Sequence, residues 1–198
     1  MSAATPGDVL VLHAVRTLGY ADADRIARRV GLPERDVVEH LLDAQAQGRV
    51  TSSSFAGDSG WSMTEAGRRH GERLLAAELE EAGARRTVEH VYREFLVVNE
   101  SVTAACTAWQ LGELGIGTPV ALSETIAALG AAADALDGFE QRLTRHLVRF
   151  AGYHARLEAA LARSATEPGW ITATDRDSFH QVWFELHEDL IATLGLER

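Results

Sequence analysis

The side chains with most chemical potential lie in helix-like sequence after residue 84. On a helix of 3.6 residues per turn, Tyr92, Phe95, Asn99, Cys106 and Gln110 share one face, with Val102 and Trp109 beside it. A second face, near the end of the chain, carries His180, Trp183, Phe184, His187 and Ile191, and the stretch between offers His146, Arg149, Tyr153 and His154. Faces that mix large apolar groups with amides and imidazoles are not plain core stripes, because buried polar groups need partners. A neighbouring helix can supply those partners. So can a ligand with a flat apolar body and one or two polar groups. The second possibility places a small-molecule effector between the stripe Asn99, Cys106, Gln110 and the stripe His180, Trp183, His187, with Tyr92, Trp109, His146, Arg149 and Tyr153 as further ligand-binding candidates.

Other chemistries fit less well. His180 and His187 are seven residues apart, ~10 Å along a helix axis, too far for both to hold one ion. No His-x-x-x-His pair occurs, so no metal ligand and no cofactor are expected. Cys106 would serve as a nucleophile only as a thiolate beside a base; among alanines it equally suits a small core position. The chain has no Gly-rich phosphate loop, no Gly-x-Ser-x-Gly elbow and no paired-carboxylate signature, so no catalytic residue is assigned.

The elements that must position these groups begin upstream. Residues 8–18 form an apolar-periodic run closed by Gly19, and residues 22–30 form a second. The corner Gly31-Leu32-Pro33 follows, then a third run over 34–47 closed by Gly48. Ala27 permits a close crossing, Gly31 takes positive φ, Pro33 starts the next helix, and Val37 locks it onto the one before. Two strand-like runs, 50–55 and 61–63, flank Ala-Gly-Asp-Ser-Gly60. Three helices and a short β-hairpin in this order predict a winged helix-turn-helix.

Beyond Thr64 the pattern is helical: residues 64–83, 85–112, a long run from Ser123 to Arg163 with Gly130 and Gly138 as candidate breaks, and a last helix from Asp175 or Asp177 to Leu194. The expected fold is mainly α: a winged helix-turn-helix domain over 1–83, then an all-helical dimerisation and ligand-binding domain over 84–198.

Composition bounds the setting. One cysteine in 198 residues excludes a disulfide framework and favours a reducing cytoplasm. The opening Met-Ser-Ala-Ala-Thr-Pro-Gly lacks the basic start and apolar run of a secretory signal, and no apolar stretch approaches the roughly 20 residues of a membrane span. Net charge is −10, and it is uneven. Through His70 there are eight Arg against nine Asp and Glu; beyond it, eleven against twenty. No lysine occurs. This is not the basic footprint that argues for nucleic-acid binding by itself.

Gly60-Trp-Ser-Met-Thr-Glu-Ala-Gly67 resembles the wing exit of MarR-type transcription regulators, where the second wing strand runs into a Leu-Thr-x-x-Gly turn and a long helix. Thr64 fits as that helix's N-cap, with Glu65 at its positive end. The resemblance covers roughly the first 85 residues. Members are usually shorter, with helices from both ends forming the dimer. The longer C-terminal part is similar to an all-helical module attached to winged-helix segments in actinobacterial proteins, some associated with pyruvate phosphate dikinase-like proteins. Phe95-Leu-Val-Val-Asn99, Cys106-Thr-Ala-Trp-Gln110 and Trp183-Phe-Glu-Leu-His-Glu-Asp-Leu190 carry that likeness, while the dikinase's own phosphohistidine and metal motifs are absent.

The resemblance implies a cytoplasmic, homodimeric regulator that binds double-stranded DNA and responds to a small-molecule effector. Its recognition helix would begin Pro33-Glu-Arg-Asp-Val-Val-Glu-His40, with Arg35 donating to a guanine edge and His40 and Gln45 donating elsewhere. Arg25, Arg28 and Arg29 would grip the backbone, with Ser52, Ser53 and Ser54 touching phosphates from the wing. Against this, Glu34, Asp36, Glu39 and Asp43 bring four negative charges toward a polyanion, and the wing turn has no cation. The alternative expectation is therefore a winged-helix protein that has lost DNA binding and works as a small-molecule-binding or catalytic protein.

Overall fold

Apolar residues at helical spacing bury Val11, Leu12, Val15 and Leu18 along the first helix, α1 (Gly7–Leu18), which Gly19 ends with φ 75°. The computed structural model describes residues 4–55 and 58–196. Among them the chain is mainly helical, with eight α-helices and one three-stranded antiparallel sheet. None of these helices is long and apolar enough to cross a membrane.

The chain divides into two compact units that are discontinuous in sequence. The first comprises Met1–Arg85, Leu147–Arg149 and His187–Arg198; the second comprises Arg86–His146 and Phe150–Leu186. Sequence patterning suggested one cut near residue 83, with no sign that two later segments rejoin the first unit.

In the first unit, α1 is followed by β1 (Tyr20–Ala21), α2 (Ala23–Val30), α3 (Glu34–Ala46), β2 (Val50–Phe55), β3 (Asp58–Met63) and α4 (Glu65–Glu81). Asp22 caps α2, its carboxylate accepting from the Arg25 N–H at 2.7 Å. Gly31 takes φ 70° between α2 and α3, in the left-handed region where Cβ is penalised. Val37 and Leu41 are fully buried and join Ile26, Ala27 and the α1 residues in one core. β3 lies in the middle of the sheet, pairing with β2 from Val50↔Met63 outward and with β1 at Ala21↔Trp61. The two-residue β1 was not expected, because so short a strand leaves no alternation to read.

At the sheet exit, Thr64 caps α4: its hydroxyl accepts from the Gly67 N–H at 3.0 Å and faces the Arg49 carbonyl at 2.9 Å. A Cβ on Gly67 would stand 2.0 Å from that carbonyl oxygen, so only glycine fits. Ala56 and Gly57, in the cation-free wing turn read from sequence, lie outside the described residues.

The second unit is built on α5 (Arg85–Glu113), α6 (Leu122–Thr144), α7 (Tyr153–Ser164) and the first half of α8 (Phe179–Leu194). Its buried side chains include Phe95, Leu129, Leu136, Phe150, Tyr153, Leu157 and Phe179. The long run from Ser123 to Arg163 is two helices, and it breaks at neither Gly130 nor Gly138. Gly130 is where α7 comes close, a Cβ there meeting Leu161 Cδ2 at 3.8 Å. The break spans residues 145–152 and ends at Gly152, with φ 92°, where Glu140 accepts from the N–H groups of Gly152 (2.9 Å) and His154 (2.7 Å) at the α7 start. Ser123 lies inside α6, which starts at Leu122 after Ala121. α8 starts at Phe179, later than Asp175 or Asp177, with Ser178 Oγ accepting from the Gln181 N–H at 3.2 Å.

Candidate functional site

The outward side of α3 carries the first group of candidate residues. With Val37 and Leu41 buried, Arg35, Glu39, Leu42 and Ala46 fall at the four-three spacing of the opposite face, and all are exposed. Arg35 is the most open cation there, its side chain 83% exposed, and its Nε lies 3.2 Å from Asp36 Oδ1. Glu34, Glu39 and Asp43 are exposed around it. His40 is half-buried and turns toward α1, where a Cβ on Gly7 would meet its Nε2 at 3.0 Å.

The other DNA-facing candidates diverge. Arg28 is exposed and paired with Asp24 one turn away. Arg29 turns inward, its guanidinium 3.9 Å from Asp189, and Arg25 supplies the backbone N–H that Asp22 caps. Ser52, Ser53 and Ser54 are exposed along β2; Ser52 Oγ accepts from Gln45 Nε2 at 3.0 Å, tying strand to helix, and the Ser53 carbonyl accepts from the Tyr20 hydroxyl at 3.4 Å.

In the second unit the two polar stripes meet directly. Trp183 Nε1–H donates to Asn99 Oδ1 at 2.9 Å, and the Trp183 ring stacks on Phe95 with centroids 4.7 Å apart. These groups satisfy one another where a ligand was expected to satisfy both. Cys106 is buried and burial pushes its thiol up to about 11, the opposite of what a thiolate nucleophile needs. Tyr153 is buried, its hydroxyl 3.5 Å from the Glu185 carbonyl, and Tyr92 is half-buried. Trp109 Nε1 and His180 Nδ1 are buried atoms without a hydrogen-bond partner among the described residues, and burial holds His180 below its ordinary value. Gln110 is exposed and lines an open groove of about 450 Å³ with Thr107, Leu111, Glu113, Leu114 and Thr172.

Arg149 and His187 belong to the first unit. His187 is half-buried there. Arg149 lies at the centre of a buried charge cluster that sequence reasoning missed. Its guanidinium donates to Glu78 at 2.9 Å, to Thr193 Oγ1 at 2.7 Å and to Asp189 at still closer range. His13 Nε2 lies 2.9 Å from Asp189 Oδ1, off the line of a good hydrogen bond, and His13 Nδ1 has no partner among the described residues. Burial would push Asp189 up, but Arg149, with His13 and Arg29 behind it, holds its carboxyl well below the usual carboxylate range. His13 is held below its ordinary value by burial, against the pull of Asp189. A signal for the cluster existed in the sequence: Glu185, Asp189 and Thr193 recur every four residues on the buried face of α8. Glu185 receives Arg156 in a two-bond fork at 2.7 and 3.0 Å within the second unit.

His146 belongs to a separate, basic cleft of the second unit, of about 380 Å³, with Arg86, Thr87, His90, Arg142 and Arg145. Glu94 answers part of its charge. It accepts a fork from Arg142 at 2.8 and 2.6 Å, lies 2.8 Å from His90 Nε2, and is held below the usual carboxylate range chiefly by the Arg142 hydrogen bond. Among the described residues no three His, Cys, Asp or Glu side chains converge as metal ligands.

No family model, curated protein or solved structure matches this chain.

Proposed function

We propose that residues 1–83 form a winged helix-turn-helix and that the chain is a ligand-responsive DNA-binding transcription regulator of MarR-like type, working as a homodimer in the cytoplasm. One observation carries this reading. Helix, strand, helix, left-handed glycine corner, helix and hairpin follow one another, with β1 closing the sheet beside β3 and one side of α3 left uncovered by its own unit. A helix held at its back by Val37 and Leu41, open along Arg35, Glu39, Leu42 and Ala46, has the form of a helix offered to a major groove.

Dimerisation fits the exposed apolar side chains on and after α5, where Val97 is 71% and Leu114 72% exposed, with Leu111 and Ile116 also open. Paired reading heads engage two half-sites when they stand about one DNA turn apart, ~34 Å. An effector bound in the helical part acts by favouring one population of dimers over another.

The test is an electrophoretic shift at low salt with duplexes from the intergenic DNA beside the chain's own gene. A discrete complex that survives excess non-specific competitor is expected. The second reading, a winged helix that has lost DNA binding, is favoured by the charge of the α3 face, where Arg35 is held by Asp36 among Glu34, Glu39 and Asp43. That reading predicts no complex with any fragment.

A further inference from the structure

The basic cleft of the second unit is out of keeping with a chain of net charge −10 whose excess acid lies beyond residue 70. Part of it has a local explanation. Arg142 sits in the last turn of α6, and Arg145 and His146 follow directly, so all three lie at the negative end of that helix dipole. Glu94 then holds Arg142 and His90.

Two features are left over. Arg86 sits in the first turn of α5, which contains no acidic residue, so its charge adds to the positive end of a helix dipole instead of offsetting it. Arg86 and Arg145 are also both exposed and pair with no acid among the described residues. Neither feature does much for the folded chain taken alone. Both become gains if an anion occupies the cleft.

We infer that the cleft lined by Arg86, Thr87, His90, Arg142, Arg145 and His146 is a binding site for a small phosphorylated molecule. Guanidinium forks from two elements, Arg86 at the start of α5 and Arg145 at the end of α6, suit the oxygens of a phosphate or diphosphate. The Thr87 hydroxyl is a further donor on the same wall, and helix-start N–H groups are the usual partners of such an anion. A cleft of about 380 Å³ is larger than a phosphate group alone, leaving space for the body of a phosphorylated metabolite. This names the chemistry of the effector in the proposed function, and rests on that reading only for the word effector; the binding site itself stands without DNA.

The experiment is isothermal titration calorimetry of the full chain with inorganic pyrophosphate, at constant ionic strength and without divalent metal. One saturable site per chain is expected. Arg86→Gln and Arg145→Gln should each weaken binding at least tenfold, and the double variant should abolish it. Both side chains are exposed, so the melting curve should not move. Arg163→Gln, a cation of the same unit stacked on Trp170, should leave pyrophosphate affinity unchanged. Arg35→Ala should leave it unchanged too, which separates failure here from failure of the DNA reading. The inference is overturned by the absence of saturable heat, by equal losses in Arg163→Gln, or by a double variant that keeps wild-type affinity. It is also overturned if pyrophosphate does not saturate while the double variant loses duplex affinity, since the cations would then serve a nucleic-acid backbone.

Discussion

Arg149 and Arg86 carry the same charge, and the molecule treats them in opposite ways. The Arg149 side chain is 2% exposed and commits its guanidinium to Glu78, Asp189 and Thr193, with His13 and Arg29 behind. The set is nearly neutral: two guanidinium groups against two carboxylates, with a histidine whose charged form burial disfavours. Arg86 is exposed, meets no acid among the described residues, and stands at the wrong end of a helix dipole. In such a balanced, buried set the charges answer one another. It holds α1, α4, the 147–149 segment and the end of α8 in one unit. A surplus of one sign at the surface does little for stability and is what a soluble anion can use.

Substitution is the most forceful way to break this comparison. Arg149→Met leaves Asp189 and Glu78 in the interior without their cation and should cost about 3–5 kcal/mol in denaturant unfolding. Arg86→Gln should stay within about 0.5 kcal/mol of wild type. Equal costs at both positions would erase the distinction between scaffold and site.

Much of the first unit was legible because its punctuation is local. Gly31 and Thr64 each answer a backbone requirement within a few residues, so their roles could be read before any contact was known, whereas the Arg49 carbonyl that excludes a Cβ at Gly67 lies eighteen residues away. The helices of the second unit were legible for the same reason, in their periods. What was not legible is long-range. Asn99 and Trp183 were singled out correctly as polar groups on apolar faces, but a period cannot say that one donates to the other across 84 residues. Arg149 was grouped with His146 and Tyr153 by proximity in sequence, whereas its partners lie at 78, 189 and 193. Glu140 was passed over because a carboxylate that caps a helix twelve residues on looks like any solvated glutamate.

A smaller effect sharpens the contrast within the second unit. Trp183→Phe keeps the stack on Phe95 but leaves Asn99 Oδ1 without its donor, and should cost ~1 kcal/mol with no change in pyrophosphate affinity. A larger change in pyrophosphate affinity than in stability would return the effector to the aromatic stripe.

Acid titrates the buried set. His13 has a folded-state pKa below its ordinary 6.5, so between those two values the unfolded chain binds the extra proton. Stability present above 6.5 is then lost as pH falls through that window. The melting temperature should drop from pH 7 toward pH 5, and His13→Gln should flatten the drop in part, His180 contributing in the same sense. An unchanged slope in His13→Gln would show that burial does not hold the imidazole below its ordinary value.

The smallest effect concerns Glu94, which competes with any anion for Arg142 and His90. Glu94→Gln should tighten pyrophosphate binding by up to about fivefold, the worth of an exposed ion pair. Weaker binding would mean that Glu94 positions those cations for the ligand.

The central claim is that the open face of α3 reads DNA, and fluorescence anisotropy with a labelled intergenic duplex tests it most directly. Arg35→Ala should lose about 1–3 kcal/mol of binding, the worth of a bidentate base contact, while Glu39→Gln should gain affinity by removing a repelling charge. Wild type, Arg35→Ala and Glu39→Gln binding the duplex with one and the same affinity, or none of them binding at low salt, would contradict it.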